Sequence, residues 1–594
     1  PWYRKSAVVW SLITAAVLAC LGGWNYYVSQ HRTLSVLNGL STPISVQIDG
    51  LPVLEIGGNS RKDVIVPEGL HQAVVTQPPG QFPQSEFEVR SGWWERFFRS
   101  PVFIADPSQT AAVVWEQAVY SNFNGANDAE NKMELRVGET FASFPHADYH
   151  FEEFPQQLQV KGGSRIIKSR VGLMHEPPAS IVGGAFSLGR EVGSLDPYME
   201  RHLNANPEDS DLLNAYIGIG AMVGKSESRE KFLEVHLADR PVRIQWHRRY
   251  QDLFGRLAQE GGNRARFDGV VARYDQLLKQ FPKDASLLYL RGRLEPHARG
   301  ASPWIDQALE IDPKHAYATV SKAYTYLVQG KNAEALQWYE RAATLRPDDT
   351  EINAGVSDAR LAAQDFAGLE RTLREALQKK PDNLNNNLEL LRLLILTQRG
   401  NEAEQHFQAL LGRIRPQQAN LPQVAAIVAR ELELPYLYAK GDFETLVLKA
   451  KQAGPEAKEF EFMAAMERGQ LMDVPQTTDA RSLSFWHLCR AIVARRAGDA
   501  AQSMASKAAA LAILDGKGGE EEVAAKLLRQ GDKALWEDME DLLMQPRFKT
   551  VLLVVLAQEA PQLKGQCLDL AEKLNHSLNF PYHMIQREIA QLRK

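Results

Sequence analysis

AYATVSKAYTYLVQGKNAEALQWYERAATLRPDD, residues 316–349, decides the reading of this chain. It holds two helix-period stretches separated at Gly330 and closed by Pro347. Counting Ala316 as position 1, small residues stand at 8, 20 and 27 (Ala323, Ala335 and Ala342) and aromatics at 11 and 24 (Tyr326 and Tyr339). Small side chains at facing positions let two helices approach, and the rings fill the gaps beside them. Working outward, prolines that end helical segments fall at 207, 241, 282, 313, 347, 381 and 416, at intervals of 34, 41, 31, 34, 34 and 35. A fixed period outranks local motifs: each unit is a helical hairpin that cannot bury its apolar face alone and must stack on its neighbours.

The unit on residues 316–349 closely resembles the tetratricopeptide repeat, departing from it mainly at position 7, where Lys322 stands. The next unit keeps Leu373, Ala376 and Pro381 but carries Ser357 at position 8 and Arg360 at position 11, a degenerate copy. The interval of 41 implies an insertion near residues 261–263. The resemblance implies an all-α solenoid over 176–415 that binds proteins. Residues 416–594 then form degenerate helical repeats and a cap, with a hairpin over 486–514 turning at Gly498-Asp499. Helices near 520–544, 548–558 and 562–578 are expected to extend the stack. Family members that clamp a chaperone's C-terminal carboxylate use Lys, Asn and Arg at positions 2, 5, 6 and 9. Here those positions hold Tyr317, Val320, Ser321 and Tyr324 in the first unit, and nothing equivalent in the next two, so no such clamp is expected.

Upstream, over 33–175, periodicity turns from helical to alternating. Residues 44–48 alternate with period two and end in Asp49-Gly50; residues 63–66 run into Pro67-Glu68-Gly69, followed by 71–76. Short runs at 87–89, 102–104 and 111–115 complete a pattern of brief strands between Gly and Pro turns, which reads as an antiparallel sandwich. Residues 44–76 resemble a PEGA-type module. That implies a surface β-domain of extracytoplasmic bacterial proteins and no chemistry. Within this head, residues 93–99 (WWERFFR) suit either a lipid interface or a buried turn closing the sandwich, and the buried turn is the expectation.

Residues 7–28 are uncharged, and 22 residues of helix span about 33 Å, enough for a bilayer core of about 30 Å. Arg4 and Lys5 precede this stretch, and Trp24, Tyr26 and Tyr27 stand where an interfacial aromatic belt lies. A single-pass anchor with the bulk of the chain extracytoplasmic, in the periplasm, is the first reading. A lipoprotein signal through Cys20 within Val17-Leu18-Ala19-Cys20 is the second. The chain opens on Pro1 rather than Met, which leaves room for a preceding segment.

The composition is that of folded, water-soluble architecture, with 44% apolar and 24% charged residues. A net charge of −5 lacks the basic excess of a nucleic-acid binder. Three cysteines, Cys20, Cys489 and Cys567, make neither a disulfide framework nor a Cys-x-x-Cys pair. Gly218 to Ser226 imitates a phosphate-binding loop, but Ile219 stands where its first glycine is required. His146, Asp148 and His150 would share one face of a strand, a metal-ligand geometry that a solvated face explains equally well. A basic run from Arg240 to Arg266, with Arg243, Arg248, Arg249 and Arg256 at its centre, offers a candidate face for an acidic partner. No catalytic set, cofactor or metal is assigned. The reading is a membrane-anchored scaffold that binds protein partners or joins a larger complex, not an enzyme. A sensor ectodomain of a signalling protein such as a kinase is the alternative, and an enzyme site in the β-rich domain is third.

Overall fold

The computed structural model of the chain describes residues 2–98, 100–121, 132–159, 165–189, 192–259, 264–418, 422–476 and 480–594. It partitions into two compact units, one ending at Val235 and one beginning at His236. The change of periodicity at residue 175 therefore falls inside the first unit.

That unit opens with helix Trp2–Gln30, of which the uncharged stretch Val8–Gln30 is long and apolar enough to cross a bilayer. Twelve strands follow among the described residues, in three four-stranded sheets. The middle sheet runs Phe141–Phe144, Val102–Ala105, Arg32–Asn38, Ser60–Val66. Period-two alternation gives it two apolar faces. Leu34, Val36, Phe103 and Ala105 pack with Val46, Ile48 and Phe87 of the sheet formed by Leu54–Ile56, Ile44–Ile48, Gly69–Gln77 and Ser85–Val89. Leu37, Val102 and Ile104 face the other way, onto Val113, Trp115 and Val171 of the sheet formed by Tyr149–His150, Arg165–Leu173, Ala112–Ser121 and Met133–Val137.

The head thus keeps the face-to-face packing of mostly antiparallel sheets expected of a sandwich, with three sheets stacked. Most pairings are antiparallel, but Arg32–Asn38 runs parallel to Val102–Ala105, and Tyr149–His150 parallel to Arg165–Leu173. All four residues of Val102–Ala105 are buried, the burial expected of a strand covered on both faces.

The Asp49-Gly50 turn has both residues at positive φ, 46° and 74°, the backbone that a tight hairpin needs. The Asp49 carboxylate accepts the Gln72 N–H at 2.7 Å and lies against His71, whose other ring nitrogen sits 2.8 Å from the Pro67 carbonyl. This clasp is the physical content of the Asp-Gly, Pro-x-Gly and His spacing noted in the sequence.

Helices Pro178–Ser187, Val192–Ala205 and Ser210–Met222 complete the unit, with most of Ser226–His236. They dock on the head through a buried polar loop. His202 Nε2 lies 2.8 Å from the Thr110 carbonyl, and Arg201 donates to the Ser108 carbonyl at 3.2 Å. Asp106, buried beneath, accepts from Ala111 N–H and Ser108 Oγ at 2.7 and 2.8 Å.

In the second unit the period takes physical form as hairpins. Successive pairs are Ala285–Gly292 with Ala298–Ile311, Ala316–Val328 with Asn332–Leu345, Thr350–Ala362 with Phe366–Lys379, and Leu384–Leu396 with Gly400–Gln418. Four prolines of the period, Pro282, Pro313, Pro347 and Pro381, are each followed two residues later by an N-cap: Asp284, His315, Asp349 and Asn383 accept backbone N–H groups of the helix they start, whereas Pro416 falls inside helix Gly400–Gln418. Inside three hairpins the reversal needs one left-handed residue, supplied by Gly330, Gln364 and Gln398 at φ 69°, 60° and 60°.

Beyond residue 418 the hairpin over Ala480–Arg496 and Ala500–Leu514 turns at Gly498, as expected. The helices expected near 548–558 and 562–578 are present as Pro546–Glu559 and Lys564–Leu574, a further hairpin that packs on Ala480–Arg496. The stretch expected as one helix over 520–544 breaks at Gly531 into Gly519–Gln530 and Trp536–Glu540. Helix Pro546–Glu559 is buried on every side from Phe548 to Ala557. It is packed among Trp486, Ile492, Leu568 and Ile585 in the largest apolar core of the unit. The hairpins are tied to this core: Lys549, fully buried, donates to the carbonyls of Val328, Glu540 and Leu542 at 2.8, 2.7 and 3.0 Å. Arg299 pairs with Asp538, and Gln329 donates to Asp541 at 2.9 Å.

Candidate functional surfaces

Two surfaces stand out, one at the end of the apolar helix and one on the hairpin array. At the first, Asn25 and Ser29, four residues apart on one helix face, are buried against the head. Asn25 donates to the Trp93 carbonyl at 2.9 Å and accepts from Arg96 at 2.7 Å. The Ser29 carbonyl accepts the Glu68 N–H at 2.7 Å. Glu68 sits between Arg96, with which it pairs directly, and Arg32 at 3.4 Å. Burial by itself would raise the Glu68 carboxyl, but hydrogen bonds from Arg96 and Ser91 and the charge of Arg32 hold it below the usual carboxylate range. This polar collar fixes the helix end to residues 91–98.

Those residues do not close the sandwich as a buried turn. Only Glu95–Phe98 is helical, and Trp93, Trp94 and Phe98 are 46%, 68% and 77% exposed. The strands beside them already fill the core with Val89, Val102 and Phe103, leaving the rings no interior to enter.

On the array, the residues picked out for packing are placed as follows. Ala323, Ala335 and Ala342 are buried, Tyr339 is 5% exposed, and Tyr326 packs against their cluster. Gly330 holds the left-handed turn, and Pro347 is exposed between hairpins. Gly355 of the next unit lies so close to the Tyr339 ring that a Cβ there would meet a ring carbon at 2.3 Å.

Of the basic run, Arg243, Arg248 and Arg249 are engaged by carboxylates of the chain itself. Arg248 is buried, pairs with Glu351 and lies 4.7 Å over the Tyr317 ring. Arg243 pairs with Asp239 at 3.3 Å, and Arg249 with Asp252 at 2.9 Å. The Arg256 side chain lies outside the described residues. Carboxylates from the same and later hairpins consume these charges. Tyr317 adds to the ladder, donating to Asp349 at 2.7 Å and accepting from Gln245. What remains exposed on the array includes the amide and acidic side chains Asn353 and Asp358 of Thr350–Ala362, with Asn353 donating to the Pro347 carbonyl at 2.7 Å.

The near-motifs resolve locally. Residues 218–222 are the last turns of helix Ser210–Met222, so their N–H groups serve the helix rather than a phosphate. Of the His146, Asp148 and His150 trio only His150 is on a strand, and Asp148 is occupied by Lys168 at 2.7 Å and by the Ser169 N–H at 2.9 Å. Among the described residues no group of three His, Cys, Asp or Glu side chains gathers as a metal site.

No protein-family model matches the chain, and no curated protein matches it. Solved structures similar to parts of it include a tetratricopeptide repeat protein from Parabacteroides merdae, 14% identical over 42% of this chain and 96% of that one, with a TM-score of 0.27. Human IFIT1, solved as a dimer with PPP-AAAA, is 14% identical over 57% of this chain and 84% of its own, TM-score 0.29. Yeast Tom70 is 14% identical over 67% and 88%, TM-score 0.26. Superpositions this loose carry no weight, and the repeat architecture stands on the hairpins, caps and turns themselves.

Proposed function

We propose that this chain is a membrane-anchored scaffold that recognises other proteins through its tetratricopeptide-type hairpins, with a role in binding rather than catalysis and its bulk on the extracytoplasmic side. The observation that carries the reading is the pairing of a capped, constant-interval hairpin array with a starting helix long and apolar enough to span a bilayer. Hairpin arrays present many side chains over an extended surface, so affinity is spread over several anchors rather than one pocket. The inward positions met by the C-terminal helices are already occupied by the chain itself. Recognition is therefore assigned to the first-helix side chains left open, with Asn353 and Asp358 at their centre.

Affinity purification of the full chain from native membranes tests this, beside a variant carrying Asn353→Arg and Asp358→Arg. Recurrent co-purifying chains should fall about tenfold with the variant while its circular dichroism is unchanged. Recovery of the same chains with residues 1–32 alone would overturn the assignment. Protease protection in sealed membranes tests the side: residues 33–594 should be digested only from the extracytoplasmic face.

A further inference from the structure

We propose that the aromatic ridge of Trp93, Trp94 and Phe98 is a second membrane contact, seated in the interfacial layer of the same bilayer that the apolar helix crosses. The inference deepens the anchoring reading above and rests on it. Its occupant is a lipid surface, and the argument is one of level. Trp24, Tyr26 and Tyr27 are exposed around the end of helix Trp2–Gln30, the belt position at which amphipathic rings settle between hydrocarbon and headgroups. Asn25, in the middle of that belt, is buried and bonded to the Trp93 carbonyl at 2.9 Å and to Arg96 at 2.7 Å. Residues 24–27 rise by only about 4.5 Å along the axis, so a group bonded to Asn25 stands at nearly the depth of the belt. Wherever the belt lies, the ridge must lie beside it.

The ridge has the chemistry for that layer. Trp93 and Trp94 meet edge to face with centroids 4.6 Å apart, and Trp94 stacks on Phe98 at 6.3 Å. Three large rings standing in water forfeit the stabilisation of burial, and an interface recovers part of this while wetting the indole N–H. Among the described residues the Glu68 carboxylate is held between Arg32 and Arg96 rather than left unpaired towards the lipid. Glu95 is exposed and accepts the Gly92 N–H at 2.6 Å, at a depth where headgroup water still reaches. A helix by itself fixes neither tilt nor rotation; a second contact on one side of it fixes both.

The experiment uses the full chain in phosphatidylcholine vesicles. Cys20→Ala removes the exposed cysteine, leaving Cys489 and Cys567 buried. Trp94→Cys then carries an environment-sensitive fluorophore, and Leu18→Cys carries the same label within the apolar helix. Lipids with a quencher placed shallow or deep report depth. The label at 94 should be quenched about twofold more by the shallow lipid than by the deep one, and the label at 18 the reverse. Loss of deep quenching at 18 sinks the anchor, and the inference with it. Deep quenching at 18 with none at 94 sinks the inference alone. A blue-shifted but unquenched label at 94 means that a protein or a second copy covers the ridge, which also overturns the proposal.

Discussion

At the scale of single residues, the chain's strongest commitments are buried charges that have found partners far away in sequence. Lys549 is the plainest. Burial lowers its pKa to about 7 from an ordinary value near 10.5. The folded state therefore binds fewer protons than the unfolded state between those values, so the contribution is present above pH 10.5 and declines as pH falls towards 7. Wild-type stability should rise relative to Lys549→Met between pH 7 and 9, measured by denaturant unfolding. The same substitution strands three buried carbonyls and should cost about 3 kcal/mol or more. A variant as stable as wild type with the same pH slope would show that the seam does not depend on this amine. None of this was legible beforehand: a lysine in an apolar run reads as an interruption, and its acceptors lie as far off as Val328. Arg248 was misread for the same reason, since Glu351, which consumes its charge, is on another hairpin.

At the scale of elements, the sequence was most readable where neighbours pack on neighbours. The proline period, the strands at 44–48 and 102–104, and the apolar helix are all local or near-local patterns. Two substitutions test the hairpin geometry. In an ordinary helix Gly355→Ala would gain about 1 kcal/mol of propensity. Here the new Cβ would meet the buried Tyr339 ring at 2.3 Å, an overlap costing about 2–3 kcal/mol, so net destabilisation is expected in thermal or denaturant melts. Conversely, Gln364 and Gln398 hold the left-handed turn position that Gly330 fills in the preceding unit. Gln364→Gly and Gln398→Gly should each stabilise by about 0.5–1 kcal/mol, by removing a Cβ from that conformation. What periodicity does not encode is exposure. Aromatic residues at 93–98 gave no sign of whether the core had room for them, and only the three-layer stack shows that it did not.

At the scale of the whole molecule, the feature that the sequence reading lacks is the return of the last helices to the early hairpins, where Lys549 reaches the Val328 carbonyl. The signal was present in residues 548–557, where every position but Lys549 and Thr550 is apolar, the mark of a helix enclosed in a core. Repeat reasoning passes over such a segment because it belongs to no repeat. Hydrogen exchange should show it: amides of Ala316–Val328 and Pro546–Glu559 are expected to share one protection level. Charge reversal of the clamp with Arg299→Glu should lower both together. If the two helices exchange independently, the hairpins and this helix are not one cooperative body.

The turn-back also sets a timetable for folding. Val328 meets Lys549 across a separation of 221 residues, so hairpins that form as they leave the ribosome must wait for that much further synthesis before their seam is sealed. Until then Ala316–Val328 and its neighbours hold apolar surface without its final cover. The nascent chain is expected to lean on chaperones through this interval and to be most prone to aggregation when synthesis stalls short of residue 546.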